Sequence, residues 1–359
     1  MAGAWDPSAA ALEQLLDGEP AYRRRQVDEG LWRQLARPGE MTVLPAALRE
    51  RLEAALPPAL RVLDESVADG DRTTKWVFAL HDGATVETVA MAYADRVTAC
   101  ISSQAGCAMG CTFCATGQAG FARQLSAAEM LEQVVAAARA TRPRRLSNVV
   151  FMGMGEPLAN YDATLATLRA LTGRMGLSAR HLTVSTVGVA PAIERLAIDA
   201  PTVTLAVSLH AANDELRETL VPLNRRYPLE RVEAACRTWF ERTHRRVSFE
   251  WALIDGVNDR DQDASQLAAI ARRCSAHVNL IALNPTPGYP TRGTPRDRVV
   301  QFRDLLVALG VNVTIRATRG RTIDAACGQL ANVARARRTR VASPAGVSRS
   351  VNDQLPTST

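Results

Sequence analysis

The stretch "VTACISSQAGCAMGCTFCATG" (residues 97–117), followed by "SAAEMLEQVVAAARAT" (126–141) and "NVVFMGM" (148–154), decides the fold class. A β-rich run ends in a cysteine-rich loop, a helical stretch opens on a Ser126-x-x-Glu129 capping box, and a second apolar run ends in glycines. Strand, helix and strand in that order imply a crossover, and crossovers join parallel strands. Outward from this unit the alternation continues through "HLTVST", "TVTLAVSLH", "RVSFEWALI", "HVNLIAL" and "NVTIRAT". Seven strand candidates fall short of the eight that close a barrel. The expected fold is therefore α/β, a partial (β/α)6-type barrel with an extra strand, its chemistry at the carboxyl ends of the strands.

At 359 residues the chain exceeds the usual size of one hydrophobic core, so additions to the barrel are expected. Residues 1–60 read as a small helical unit, in which Tyr22, Val27, Leu31, Trp32 and Leu35 recur at roughly helical spacing. Residues 61–97 read as a β-hairpin extension with an Asp82-Gly83 turn, residues 98–333 as the barrel, and the polar, basic residues 334–359 as a disordered tail. Hydrophobic residues make up 47% and charged residues 22%, the balance of a globular protein. The first thirty residues contain no signal-peptide core, and no run approaches a membrane span, which points to the cytoplasm. In that reducing compartment clustered cysteines suit metal or redox chemistry better than permanent disulfides. The net charge is +6, and of 43 basic residues only Lys75 is lysine. A single arginine cluster reads as a solvated surface. Several together, such as 23–25, 142–145 and 335–340, suit a polyanion such as RNA.

Four of the seven cysteines crowd into residues 100–114. Cys107, Cys111 and Cys114 form C-x3-C-x2-C, and three thiolates can hold three irons of a 4Fe-4S cluster while leaving the fourth open. Zinc is the competing ligand, with Cys100 as a fourth sulfur, although C-x6-C-x3-C-x2-C is not a pair of short knuckles. The next strand ends in "FMGMGEPL" (151–158), whose glycines permit close approach to the backbone. Glu156 places a carboxylate where an ammonium group could donate to it. Leu158 stands where a dinucleotide fingerprint would need its third glycine. Cys236 and Cys274 lie on apolar helix faces and read as buried filler.

Taken together, "SSQAGCAMGCTFCATG", "VFMGMGEPL", "LTVSTVG", "LAVSLHA", "LVPLNRRYPL", "LIDGVND" and "IDAACGQL" resemble the radical S-adenosylmethionine superfamily and, within it, the RlmN family of adenine-C2 RNA methyltransferases. The similarity runs from about Glu19, where "GEPAYRRRQ" resembles the family's RNA-facing helical domain, to about Asn332. The resemblance implies a barrel of the radical SAM kind with one 4Fe-4S cluster on Cys107, Cys111 and Cys114. The open iron would chelate S-adenosylmethionine, with Gly155 and Glu156 at its amino end and Ser185, Ser208, Leu209, His210 and Asn284 completing the site.

Adenine C2 carries neither a nucleophilic lone pair nor an acidic proton, so a radical route is needed. By the resemblance, Cys327 first takes a methyl group from one S-adenosylmethionine, and a second is split into methionine and a 5′-deoxyadenosyl radical. Hydrogen removal from the S-methyl group lets a methylene radical add to C2. Cys100 then resolves the adduct through a transient disulfide with Cys327. Glu87 matches the family's proton acceptor, although a glutamate in a β-hairpin is ordinarily a surface cross-strand partner. The implied partners are 23S rRNA before full ribosome assembly, tRNA beside the anticodon, and a reductant such as flavodoxin or ferredoxin. Two alternatives stay open: a sister family that methylates C8 of the same rRNA adenine, and a non-catalytic, zinc-stabilised RNA-binding protein. Many relatives carry an acidic residue after "TRG", where this chain has Arg321.

Overall fold

The computed structural model describes residues 3–330 apart from 9, 71, 287, 288, 291 and 317–319. The segment read as a tail, 334–359, lies outside the described residues. Three helices open the chain: α1 (Ala10–Leu15), α2 (Ala21–Trp32) and α3 (Ala46–Ala55). Pro20 and Pro45 stand immediately before α2 and α3, where a fixed φ is tolerated and the missing N–H breaks no helical hydrogen bond. Val27 and Leu31 are fully buried, and the Trp5 indole donates to Leu31 O at 3.0 Å. Tyr22, expected on the same apolar face, is exposed.

An antiparallel meander follows: β1 (Arg61–Ala68), β2 (Thr73–Ala79) and β3 (Thr85–Ala92), with Asp82 and Gly83 between β2 and β3. β1 adds to the two runs legible in the sequence. It is an edge strand that stays largely exposed, so it carries no clean apolar alternation, and the Trp76 indole donating to Glu65 Oε2 at 2.9 Å helps fix its register. β3 pairs antiparallel with β4 (Val97–Cys100). A separate hairpin of β5 (Gln104–Gly106) and β6 (Phe121–Gln124) brackets the cysteine loop and the short helix α4 (Ala115–Ala119).

The main sheet continues from β4 in parallel through β7 (Asn148–Phe151), β8 (Leu182–Thr186), β9 (Thr204–Ser208), β10 (Ser248–Leu253), β11 (His277–Ala282) and β12 (Asn312–Ile315), in sequential spatial order. Its crossovers carry α5 (Ala127–Ala140), α6 (Tyr161–Gly173), α7 (Ala190–Asp199), α8 (Asp214–Leu220) with α9 (Leu229–Thr243), α10 (Asp261–Arg273) and α11 (Arg296–Ala308). Six α-crossovers joining seven parallel strands give the expected partial barrel with one extra strand. The capping box on α5 forms as read: Ser126 Oγ accepts from Glu129 N at 3.2 Å, and Glu129 Oε2 accepts from Ser126 N at 2.8 Å.

One hydrophobic core runs continuously from Trp5 and Leu31 through the sheet to Leu330. β1 and β12 form the two edges of the sheet, and residues 320–330 span the side between them. Gly320 N donates to Asp69 Oδ2 at 3.0 Å, Lys75 Nζ to Asp324 O at 3.2 Å, and Thr116 Oγ1 to Leu330 O at 2.6 Å. This segment carries Cys327 over the carboxyl ends of the strands.

Candidate active site

The cysteine loop is held at both ends. Cys107 N donates to Gly120 O at 2.8 Å across the β5–β6 hairpin, and Cys114 caps α4. Beneath it a small apolar cluster of Phe113, Leu220, Val221, Ile254 and Leu283 surrounds Cys111. Burial pushes the Cys107 thiol up to about 12, with the Glu156 and Cys114 charges adding to it. Burial also drives Cys111 well above the ordinary thiol range, and the charges of Cys114, Cys107 and Glu156 add further. The three sulfurs and Glu156 therefore share one electrostatic neighbourhood. No three ligand side chains among the described residues converge tightly enough to grip a single ion. An all-sulfur donor set spread over a loop suits a multi-iron cluster, whose binding would take up the charge of the deprotonated thiols.

Cys111, Cys114, Glu156, Ser185, Ser208 and Asn284 line one cavity at the carboxyl ends of β4 and β7–β11, where the fold argument placed the chemistry. Glu156 is fixed by its own surroundings: Oε1 accepts from Leu158 N at 2.9 Å and Oε2 from Val187 N at 2.8 Å. Burial raises its carboxyl to about 7 against the lowering effect of these amides. Gly153 and Gly155 have a reason the sequence did not show. A Cβ on Gly153 would come within 2.7 Å of the Ile101 backbone, and one on Gly155, at φ +98°, within 2.5 Å of the Gln104 side chain. The glycines let the end of β7 pack against the segment after β4, whatever ligand approaches them.

His210 also lines this cavity, in a left-handed conformation at φ +59°. Its Nδ1 accepts from Ala252 N at 3.0 Å, so the neutral ring carries its proton on Nε2. Burial, aided by the Arg217 cation, lowers its pKa to about 3. The Leu209 side chain is fully buried in the core. Its contribution is through backbone: its N–H donates to Glu250 O at 3.1 Å, and its carbonyl accepts from Arg217.

Cys100 is the last residue of β4 and lines a second, smaller cavity together with Cys327. Burial pushes its thiol up to about 12, and the Cys327 charge adds to that. Cys327 is exposed, lines both cavities, and is tied by its carbonyl to Asn284 Nδ2 at 3.1 Å. The structure thus brings the five cysteines singled out in the sequence to one end of the barrel. Cys236 and Cys274 remain buried in the helical layer.

Glu87 lines neither cavity. It is fully buried rather than at the surface, its carboxylate 3.5 Å from Lys75 Nζ, the chain's lone lysine, and its backbone carbonyl accepts from Ser102 Oγ at 2.6 Å. Three other residues were not singled out from the sequence. Arg217 of α8 is fully buried and donates to Leu209 O, Val187 O and Asn224 Oδ1, clamping the ends of β8 and β9 beneath the cysteine loop. Arg316, just past β12, and Glu250, inside β10, line the larger cavity as an ion pair at 3.5 Å. In sequence each of the two arginines is one among many. Only their burial and partners set them apart.

The pattern of the Radical SAM superfamily matches residues 101–268, which include the three loop cysteines but neither Cys100 nor Cys327. Longer likenesses cover the rest. A probable dual-specificity RNA methyltransferase RlmN of Salinispora tropica is 51% identical over 327 residues, 88% of each chain. Its counterpart in Parafrankia is 53% identical over 335 residues, 88% of this chain and 87% of that one. A crystal structure of a radical SAM methyltransferase from Sphaerobacter thermophilus superposes with a TM-score of 0.89 at 48% identity, over 92% of this chain and 99% of the other. No helix among the described residues is long and apolar enough to cross a membrane. With likeness of that extent along nearly the whole chain, and a sulfur-lined site at the carboxyl ends of a parallel sheet, the chain belongs to the RlmN family of dual-specificity RNA methyltransferases, within the radical SAM superfamily.

Proposed function

We propose that the chain methylates C2 of one adenine in the peptidyl-transferase region of 23S rRNA, before the ribosome is fully assembled, and of the adenine at the 3′ side of the tRNA anticodon. The observation that carries this reading is the position of Cys327, which faces the cofactor cavity on one side and Cys100 on the other. A methyl acceptor must meet S-adenosylmethionine first and the resolving thiol later, and Cys327 borders both spaces.

Cys107, Cys111 and Cys114 would hold the 4Fe-4S cluster, with Glu156 and Gly155 at the amino end of S-adenosylmethionine and Ser185, Ser208, Leu209, His210 and Asn284 around the remainder. Bound there, the cluster supplies the electron for reductive cleavage of S-adenosylmethionine, two molecules of which are used per turnover. The chain's own residues do the rest. Glu156, already holding two amide donors, keeps lone pairs free to receive an ammonium group. Neutral His210 offers Nε2–H to the cavity without adding charge beside the sulfurs. Cys327 accepts the methyl group, Cys100 resolves the adduct, and Glu87 serves as the proton acceptor. Residues 1–60 face the RNA, residues 61–97 bridge them to the catalytic unit of 98–333, and the reaction takes place in the cytoplasm with electrons from a flavodoxin or ferredoxin.

The test is an anaerobic reaction of reconstituted protein with a protein-free 23S rRNA fragment and with tRNA, read by nucleoside mass spectrometry. 2-Methyladenosine in both RNAs is expected. 8-Methyladenosine would transfer the reading to the sister chemistry, and stoichiometric zinc without iron would end the enzymatic reading.

A further inference from the structure

Five arginines gather at the seam between the opening helices and the sheet, and nothing in the reaction uses them. Arg33 caps the end of α2, Arg142, Arg144 and Arg145 lie in the link from α5 to β7, and Arg174 caps the end of α6. The first four line one cavity together with Trp32, and its other walls include the buried side chains of Leu35, Leu146 and Leu177. Neighbouring arginines in a sequence are ordinarily a solvated run. Here separate segments bring them together at the amino ends of β7 and β8, and the fold holds them there. Arg142 Nη2 donates to Gln34 O, and Arg144 Nη2 to Tyr93 O. Gly176, at φ +72°, leaves room for the Arg33 guanidinium: a Cβ there would lie 2.4 Å from Arg33 Nη1. The Arg174 guanidinium stands over the Trp32 ring, 4.9 Å from its centre.

No carboxylate lines this cavity, and among the described residues none of the five arginines has one within ion-pair distance. Arg139, just upstream on α5, is by contrast paired with Glu40 at 2.7 Å. Like charges gathered beside apolar walls repel one another, and a bound anion offsets that repulsion. A second observation points to a ligand. Trp32 is buried, and its indole N–H has no hydrogen-bond partner, which is uncommon for a buried donor. Tyr93 links the cluster to the chemistry. Its carbonyl receives Arg144, its ring carries Arg96 at 4.1 Å, and it lines the smaller cavity with Cys100 and Cys327. A ligand that meets both the arginines and the sulfurs is extended and anionic along its length. The guanidinium fork matches the oxygens of phosphate, and a nucleic-acid backbone presents phosphates in series.

We propose that this arginine-lined cavity is a phosphate-binding site that grips the backbone of the RNA substrate away from the reacting adenine, a role that rests on the reading of RNA as substrate. Contacts of this kind add affinity and fix register, and they carry no base recognition.

The test is the salt dependence of binding to the protein-free 23S rRNA fragment, followed by fluorescence anisotropy with iron-loaded anaerobic protein. R33Q/R145Q removes two guanidinium groups from this cavity. Binding should weaken about tenfold at about 100 mM salt, and the slope of log affinity against log salt should become shallower by about two, one for each phosphate contact. R145Q alone, at an exposed position, should lose about one and keep the wild-type iron content and unfolding midpoint. R33K/R145K keeps the charge and should recover most of the slope. R242Q/R272Q takes the same charge from exposed positions on α9 and α10 and should bind like the wild type. Wild-type slopes in R33Q/R145Q and R145Q would overturn the proposal, as would an equal loss in R242Q/R272Q, which net charge alone would give. Binding needs neither electrons nor S-adenosylmethionine. A wild type that binds with a steep slope and forms no methylated adenosine would overturn the reaction proposed above and leave this site standing, whereas a flat wild-type slope would overturn the site.

Discussion

At the scale of single residues, the proposed reaction divides its work among sulfurs that line two cavities sharing Cys327. Cys100→Ala should leave RNA covalently attached through Cys327, seen as a shifted band on a denaturing gel; free methylated RNA in normal yield would refute its resolving role. Cys327→Ala should abolish methyl uptake by the protein while iron content stays at the wild-type level, because Cys327 lies outside the loop of Cys107, Cys111 and Cys114. Arg217 makes a different kind of claim. Its three buried acceptors would lose their donor in Arg217→Leu, and at roughly 1 kcal/mol each the unfolding free energy should fall by about 3 kcal/mol in chemical denaturation. A loss under about 1 kcal/mol would mean that the clamp between β8 and β9 is not formed in solution.

At the scale of elements, α5 joins the opening helices to the sheet through Glu132, whose Oε2 accepts from Leu60 N at 3.0 Å just ahead of β1. Burial raises the Glu132 carboxyl to about 7 from an ordinary 4.5. The folded state thus favours the protonated acid. Stability from this group is fully present below about 4.5 and is lost as pH rises through about 7. Between pH 5 and pH 8 that loss should be about 2 kcal/mol. Glu132→Gln keeps an acceptor for Leu60 and cannot ionise, so its stability relative to the wild type should improve by that amount over the same range. Equal pH dependence in the two proteins would show that Glu132 does not remain buried. The β5–β6 hairpin has a comparable joining role: Arg123 of β6 pairs with both Asp82, between β2 and β3, and Glu129 of α5, and so braces the cysteine loop against two elements.

At the scale of the whole molecule, the parallel sheet leaves one side for residues 320–330 to span, and that span sets Cys327 between the two cavities. The net charge of +6, carried almost wholly by arginine, predicts RNA binding dominated by phosphate contacts. Affinity for a 23S rRNA fragment should drop at least about tenfold between 50 and 200 mM salt. A flat response would remove the electrostatic basis for RNA as the partner.

The order of strands and helices, the capping box on α5, the cysteine loop at a strand end and the glycine-rich end of β7 were all legible in the chain. Each is a local pattern of spacing, and local spacing is what secondary structure and loop chemistry respond to. β1 escaped because an exposed edge strand needs no apolar alternation. Glu87 read as a surface residue, and Arg217 and Arg316 as members of an arginine-rich surface, because burial is a property of neighbours far away in sequence. The sharing of one cavity by Cys100 and Cys327, 227 positions apart, and the anchoring of Arg316 by Glu250 depend on how the open sheet and the segment of residues 320–330 pack together. Residue types and spacing marked which atoms the proposed chemistry would use; only tertiary packing decided which charges they face, because electrostatic interaction depends on distance and burial rather than on order along the chain.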